Sequence, residues 1–393
     1  MKRNEVGILG AHTCFSALVL FVNVFLVAQV YTLTNESITS VGLFMLLNAI
    51  FLFTFFALSS ILTKTVPAIW LVRISAMLLC VFIITVIATD DNLANLYVLY
   101  GIIWGIVQGL YWGAMNFLLS VVGKKGSVGF FVYFNLFATA VSVIFPFTFG
   151  MAIEYLSFIF TSGSVLGVAI IMLGFLMVTK FEKTSREKFQ MIQYFKTLKA
   201  NGHLKQSLYF FAVSTLLGWI FTSSLLTTVL IIIVYGSSMS LGVLGSIFGI
   251  VGILSLIIYK RASKRIRGPM YIACGLLPLL ATIPLFFLVS PVTIIIFNAT
   301  IVLQSILWAE ESEVRINMPK YLNHQQFQIE SNLFYEFAFV IGRILSCGML
   351  IVVGIIGFSQ VLFATAITMT MVCLCLHTVL VFAYKRKLQS AHI

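Results

Sequence analysis

Long apolar stretches constrain this chain more than any other feature of its sequence. A helix needs about 20 apolar residues to cross the hydrocarbon core of a bilayer, and the chain contains twelve stretches of that kind. We number them spans one to twelve, and they cover residues 8–32, 38–62, 67–88, 93–121, 129–152, 154–179, 206–235, 239–259, 269–290, 292–316, 329–354 and 357–384. The sequence therefore predicts an all-α membrane protein with twelve transmembrane helices.

The composition excludes the main soluble classes of protein. Charged residues make up only 9% of the chain and hydrophobic residues 61%, whereas about 25% of the residues in a soluble domain are charged. The mean hydropathy is +1.09. These values exclude a soluble enzyme, a disordered protein and a nucleic-acid-binding module. The net charge of +12 therefore does not indicate nucleic-acid binding, and the positions of the basic residues along the chain are more informative than their number.

The basic residues predict the orientation of the chain in the membrane. Lysine and arginine collect in the cytoplasmic loops of membrane proteins. With the N-terminus inside, the inner segments hold 23 of the 24 basic residues and the outer loops hold none. The exception is Arg343, in the middle of span eleven. We therefore expect both termini in the cytoplasm.

The longest polar stretch predicts how the chain divides into domains. It separates spans six and seven, so we expect a six-helix bundle over residues 1–180 and a second six-helix bundle over 206–393. Residues 181–205 would form a basic cytoplasmic linker between them. Apolar residues recur every third position in this linker, which predicts a short amphipathic helix on the inner leaflet; a solvated linker is the alternative. These apolar residues are Phe189, Ile192, Phe195 and Leu198.

The two halves carry traces of an internal repeat. Gln108 and Trp112 in span four are matched, 196 positions later, by Gln304 and Trp308 in span ten. At an offset of 197, the triplet Asn-Leu-Phe at 135–137 recurs at 332–334. Parallel repeats of six helices are one known transporter architecture, and the matches predict two pseudo-symmetric bundles.

Two turns and one proline can be compared with the sequence motifs of a known family. The turn after span eight is strongly basic at 260–267, whereas the turn after span two, residues 60–67, contains only one basic residue and no aspartate. Pro146 and Gly150 in span five form a distant version of a Gly-Pro-x-x-Gly-Gly element. With six plus six spans and both ends inside, the chain resembles the major facilitator superfamily, in a divergent branch. The resemblance implies a monomer, alternating access driven by an ion gradient, and a substrate held between the halves.

Spans ten and eleven carry charges at membrane depth, where each charge costs about 2.5–3.5 kcal/mol. Helical spacing places Glu311 and Arg315 on one stripe of span ten and Glu310 on a neighbouring stripe, while Glu336 and Arg343 share a face of span eleven. An apolar environment favours a neutral carboxyl group and a nearby arginine favours its charged form. Glu311 or Glu336 could therefore carry a coupling proton. A structural ion-pair lock and direct substrate binding are the alternatives.

Polar and aromatic residues predict the substrate cavity. A stripe on span four would line it, opposite residues of spans ten and eleven, and its neutral aromatic character suits a hydrophobic or amphipathic compound. The alternative is ordinary packing, with glutamine hydrogen-bonded across helices. The predicted cavity residues are Trp104, Gln108, Tyr111, Trp112, Asn135, Gln304, Trp308 and Asn332.

The leading hypothesis for function is proton-coupled export of a small amphipathic or hydrophobic compound across a bacterial plasma membrane. Uptake, or flipping of a lipid-linked molecule, is the alternative within transport, and a non-transporting receptor or assembly factor is the alternative outside it. We expect no catalytic residue, cofactor, metal or nucleic acid. The expected partners are the substrate, protons and membrane lipids.

Overall fold

The computed structural model describes residues 3–89, 92–124, 128–181, 188–308, 310, 327–357 and 359–390. Among the described residues, twelve helices are long and apolar enough to cross a membrane. They are Arg3–Leu33, Ile38–Leu62, Ala68–Ala88, Leu93–Leu119, Leu136–Tyr155, Phe158–Val178, Leu204–Tyr235, Ser238–Arg261, Arg265–Phe286, Pro291–Trp308, Gln328–Ile356 and Gln360–Tyr384. The predicted all-α architecture with twelve spans is confirmed, and the spans keep their numbers.

The chain divides into two compact units. The first unit contains Met1–Phe189 together with Gly236–Ser246, and the second contains Gln190–Tyr235 together with Ile247–Ile393. The first part of span eight thus belongs to the first unit, whereas the sequence assigned it to the second bundle. The reason is its close packing against span five within that unit.

Span five is held to this part of span eight by a serine. Pro146 lies inside the helix of span five, where its ring disturbs the preceding turn and its missing N–H removes one helical bond. The hydroxyl of Ser246 accepts a hydrogen bond from the backbone N–H of Phe147 at 3.1 Å and donates one to the carbonyl of Val143. The serine thus stands between two backbone groups that bond to each other in a regular helix.

Span four packs on span two through glycines spaced four residues apart. A Cβ atom on Gly105 would lie 2.7 Å from the carbonyl oxygen of Asn48, and one on Gly101 would lie 2.6 Å from that of Phe44. Small residues let two helix backbones approach this closely in a membrane. The glycine ladder consists of Gly101, Gly105, Gly109 and Gly113, and it faces the carbonyl oxygens of Phe44, Asn48, Leu52 and Phe56.

Spans seven and eleven make a similarly close contact in the second unit. A Cβ atom on Gly218 would collide with the carbonyl oxygen of Phe339, and one on Gly342 would collide with that of Thr215. The two glycines therefore fix the level at which the two helices cross. Arg343 follows one of them in span eleven, and this contact sets its position against span seven.

Arg73 in span three joins that helix to the end of span six. Its guanidinium donates hydrogen bonds to the carbonyl oxygens of Leu176, Met177 and Thr179 at 2.9–3.4 Å. The last carbonyl groups of a helix have no partner inside it, so the arginine satisfies groups that the helix itself leaves without a partner.

The linker contains the predicted short helix, which begins at Met191 and ends at Ala200. Its Tyr194 packs against Phe327 and Phe334, next to span eleven. Ile192, by contrast, is 75% exposed, because it lies on the opposite side of the helix from Tyr194. Glu330 anchors the start of this helix by accepting a hydrogen bond from the N–H of Gln190 at 2.8 Å.

Candidate functional site

The predicted stripe on span four is hydrogen-bonded to its neighbours in the first unit. The indole of Trp104 donates to the Asn23 side chain at 3.1 Å. The Gln108 amide donates to the Asn48 side chain at 3.4 Å. Trp104 and Gln108 are buried, at 0% and 4% exposure. Both polar groups therefore have partners in spans one and two.

His12 in span one joins the same stripe, and sequence reasoning did not select it. Its Nδ1 lies 3.1 Å from the hydroxyl of Tyr111, and its ring stacks on Phe134 with centroids 3.9 Å apart. Trp112 meets the imidazole edge to face at 5.5 Å. The only sequence signal was the pair His12 and Ser16, which are four positions apart and lie on one helical face.

Two interrupted spans of the second unit, spans seven and ten, are linked to each other. The helical pattern of span seven breaks between Ile220 and Ser223, and that of span ten breaks at Val302 and Leu303. Ser223, the first helical residue after one break, donates a hydrogen bond to the Gln304 side chain at 3.3 Å. Interrupted helices form the substrate and ion sites of many transporters.

Arg343 lies beside the interruption of span seven. Its guanidinium carbon is 4.2 Å from the ring centroid of Phe221 and 4.2 Å from that of Phe339. The two rings form a corner, with their planes at 71°, and their faces attract the positive charge. Only 8% of Arg343 is exposed. We call Trp219, Phe221, Ser223, Gln304 and Arg343 the span-seven site.

The structure describes two of the other predicted charged residues. Glu336 is buried on span eleven at 9% exposure, and Glu310 accepts a hydrogen bond from the hydroxyl of Tyr259 in span eight at 2.8 Å. Trp308 and Asn332 are half-buried. Glu311, Arg315 and the side chain of Asn135 lie outside the described residues.

Comparison of the sequence with models of protein families and with curated proteins finds no match. Solved structures do resemble the chain. The nucleoside transporter NupG is 13% identical, with 98% of each chain covered and a TM-score of 0.65. A bacterial homologue of the iron transporter ferroportin, in an inward-facing state, is 14% identical, with 97% of each chain covered and a TM-score of 0.64. The POT family transporter PepTSo is 10% identical, with 99% of each chain covered and a TM-score of 0.71.

The chain has the major facilitator fold. The resemblance predicted from the sequence is therefore confirmed at the level of the fold, over nearly the whole chain. In this major facilitator fold the buried charges of the described residues are concentrated in the second unit, on span eleven, where Glu330, Glu336 and Arg343 are all less than one-tenth exposed. The first unit supplies neutral aromatic and amide groups at span four instead.

Proposed function

We propose that this chain is a secondary active transporter that works by alternating access and exports a small amphipathic compound in exchange for protons. The fold supports transport, since the solved structures that it resembles are a nucleoside transporter, a homologue of an iron transporter and a POT family transporter. Coupling of this transport to protons is supported by the burial of Glu336 and Arg343, which share one face of span eleven.

The proposed coupling to protons would take place at this buried pair of residues. A charged group inside the membrane is costly unless it has a partner or a water-filled cavity, and such groups mark ion and proton pathways. A carboxyl group in apolar surroundings binds a proton, and an approaching guanidinium favours its release. A change in the distance between Arg343 and Glu336 or Glu311 would then couple proton release to the movement of span eleven.

The substrate class follows from the side chains near the two interrupted spans and from span four. Phe221, Phe339 and Trp219 provide apolar surface in the second unit, and Trp112 is half-buried in the first. Aromatic walls with few polar groups suit compounds that are partly apolar. An amphipathic small molecule therefore fits better than a sugar, whose hydroxyl groups require many hydrogen-bond partners.

The test is proton release from purified protein in a weakly buffered detergent solution. Phenylbutyrate, phenylbutanol and phenylbutylamine serve as amphipathic probes with different headgroups. We expect at least one probe to change the pH with the wild type, and we expect Glu336→Gln or Glu311→Gln to reduce that change at least tenfold. Glu154→Gln is the matched control, because Glu154 is exposed at the end of span five, and it should behave as the wild type.

Two outcomes would contradict the proposal, one its coupling to protons and the other the direction of transport. If a probe binds without proton movement and Glu336→Gln only lowers Tm, the pair is an ion-pair lock and coupling to protons is wrong. If everted vesicles with an acidic lumen do not accumulate any probe that moves protons, export is wrong. Uptake or lipid flipping then replaces it.

A further inference from the structure

Two side chains of the second unit, one on span seven and one on span ten, have buried polar atoms without a hydrogen-bond partner among the described residues. These atoms are the hydroxyl oxygen of Thr227 and the amide nitrogen of Gln304. Gln304 as a whole is only 7% exposed. A buried polar group without a partner costs about 1–3 kcal/mol, and a ligand that bonds to it removes this cost.

A hydrogen bond and helical spacing place these two groups close together. Ser223 donates a hydrogen bond to the side-chain oxygen of Gln304 at 3.3 Å, and the unpartnered nitrogen belongs to that same amide group. Thr227 follows Ser223 by four positions in the helix Ser223–Tyr235. Residues with this spacing lie on one helical face, with Cβ atoms about 5–6 Å apart. We call Ser223, Thr227 and Gln304 the seven–ten cluster.

The hydroxyl of Thr227 differs from those of other threonines in the same span. A threonine hydroxyl inside a helix can donate to the carbonyl group four residues earlier. Thr228 donates in this way to the carbonyl of Ser224 at 3.0 Å, and Thr215 to that of Phe211 at 3.1 Å. The hydroxyl of Thr227 makes no such bond. Its donor and its acceptor capacity are therefore both available to a group outside the helix.

The internal repeat provides a comparison for Gln304. Its counterpart Gln108 in span four donates an amide N–H to the Asn48 side chain at 3.4 Å, so that amide nitrogen has an acceptor within the first unit. The amide nitrogen of Gln304 has no acceptor in the described part of the chain. This difference between the two halves is expected if a ligand supplies the acceptor to Gln304.

We propose that the seven–ten cluster binds an uncharged hydroxyl or carboxamide headgroup of an amphipathic substrate. The inference rests on the proposed function, because it names the headgroup of the compound that would be transported. The oxygen of such a headgroup accepts a hydrogen bond from the Gln304 amide, and its O–H or N–H donates to the Thr227 hydroxyl. No member of the cluster is charged, so an ionised headgroup would lose its hydration without gaining an opposite charge from these three side chains.

The experiment compares headgroups on one phenylalkyl body by titration calorimetry with the purified protein. We expect phenylbutanol and phenylbutyramide to bind more tightly than phenylbutyrate and phenylbutylamine. Thr227→Val and Gln304→Leu should each weaken the binding of phenylbutanol about tenfold, because each variant removes one hydrogen bond to the headgroup.

Thr228→Val is the matched control, one position along the same helix. The hydroxyl of Thr228 is bonded inside its own helix, so its removal should leave the affinity for phenylbutanol unchanged. Thr227→Val removes a hydroxyl that has no partner in the described chain, and we expect Tm of the ligand-free protein to stay equal or rise. A lower Tm with an unchanged affinity would show that this hydroxyl serves the fold, and it would overturn the proposal. Thr227→Val thus tests the proposal even if Gln304→Leu fails to fold.

Other outcomes overturn the headgroup assignment and leave transport itself open. Equal or tighter binding of phenylbutyrate or phenylbutylamine would show that the cluster does not select an uncharged headgroup, and absence of binding by both phenylbutanol and phenylbutyramide would also contradict the assignment. Equal losses of affinity in Thr227→Val and Thr228→Val would show that the unpartnered hydroxyl is not the cause. Transport is decided separately, by proton release and by accumulation in vesicles.

Discussion

At the scale of single residues, Ser246 makes a specific contact between two helices of the first unit. Its hydroxyl bridges the N–H of Phe147 and the carbonyl of Val143 next to Pro146. Removal of the hydroxyl in Ser246→Ala leaves two backbone groups without partners, since the proline ring keeps the turn from closing. We expect the free energy of unfolding to fall by about 1–3 kcal/mol, measured as a lower Tm in detergent.

Ser164→Ala is the control for this prediction. Ser164 is exposed on span six and donates only to the carbonyl of Phe160 in its own helix, so its loss should change Tm little. Ser246→Thr retains the hydroxyl and should keep most of the stability. An unchanged Tm in Ser246→Ala would mean that span five closes its own hydrogen bond.

Residue types and spacing predicted which polar groups are buried better than they predicted the partners of those groups. Glu336 and Arg343 were selected because they interrupt an apolar span, and both are buried. The contact of Arg343 with Phe221 could not be predicted, because it depends on where span seven crosses span eleven. The contact of His12 with Tyr111 could not be predicted for the same reason, since Tyr111 lies in another helix, 99 positions away.

At the scale of helices, disruption of the glycine ladder of span four should lower the stability of the protein. In Gly105→Leu the new side chain would meet the carbonyl of Asn48 and the Cβ of Phe51, 2.7 and 2.8 Å from its own Cβ. Spans two and four would have to separate, and overpacking of this kind costs about 1–3 kcal/mol. We expect a lower Tm and a lower yield of folded protein.

The control is the same substitution at a glycine of span six. A Cβ on Gly174 meets no described atom within 4 Å, so Gly174→Leu should fold and melt as the wild type does. Equal losses of stability at the two positions would argue against close packing of spans two and four. They would point instead to a general requirement for glycine in these helices.

Hydropathy predicted where each helix lies but not where its hydrogen bonding changes. The spans seven and ten predicted from the sequence were continuous, yet the structure interrupts them beside Phe221 and before Gln304. Leucine, isoleucine and phenylalanine fill regular and interrupted helices equally well in lipid, so the apolar pattern carries no signal for a break. The glycine ladder, in contrast, was visible as a four-residue period and was not selected.

At the scale of the whole molecule, the two units differ in how their helices meet. The first unit brings spans two and four together through the glycine ladder, whereas the second brings spans seven and eleven together through Gly218 and Gly342. The repeat of Gln108 at Gln304 also has different partners, Asn48 in one unit and Ser223 in the other. The repeated sequence positions therefore predict two helical bundles. They do not predict the hydrogen-bond partners of Gln108 and Gln304, because those partners lie in spans two and seven, which are not equivalent positions in the two bundles.

The orientation of the chain in the membrane is a prediction of the whole sequence. Glu36 follows span one and Lys199 follows span six, so five spans separate them and they lie on opposite sides of the membrane. The distribution of 24 basic residues places Lys199 inside. In intact cells, a membrane-impermeant maleimide should label Glu36→Cys, whereas Lys199→Cys should react only after permeabilisation.

Both positions are exposed, so access to the reagent depends on the side of the membrane and not on burial. The wild type is the control, because its six cysteines lie within the spans and define the background. Labelling of Lys199→Cys alone in intact cells would reverse the orientation. Labelling of both variants from outside would contradict the odd number of spans between them, and with it the position of the linker helix on the cytoplasmic side.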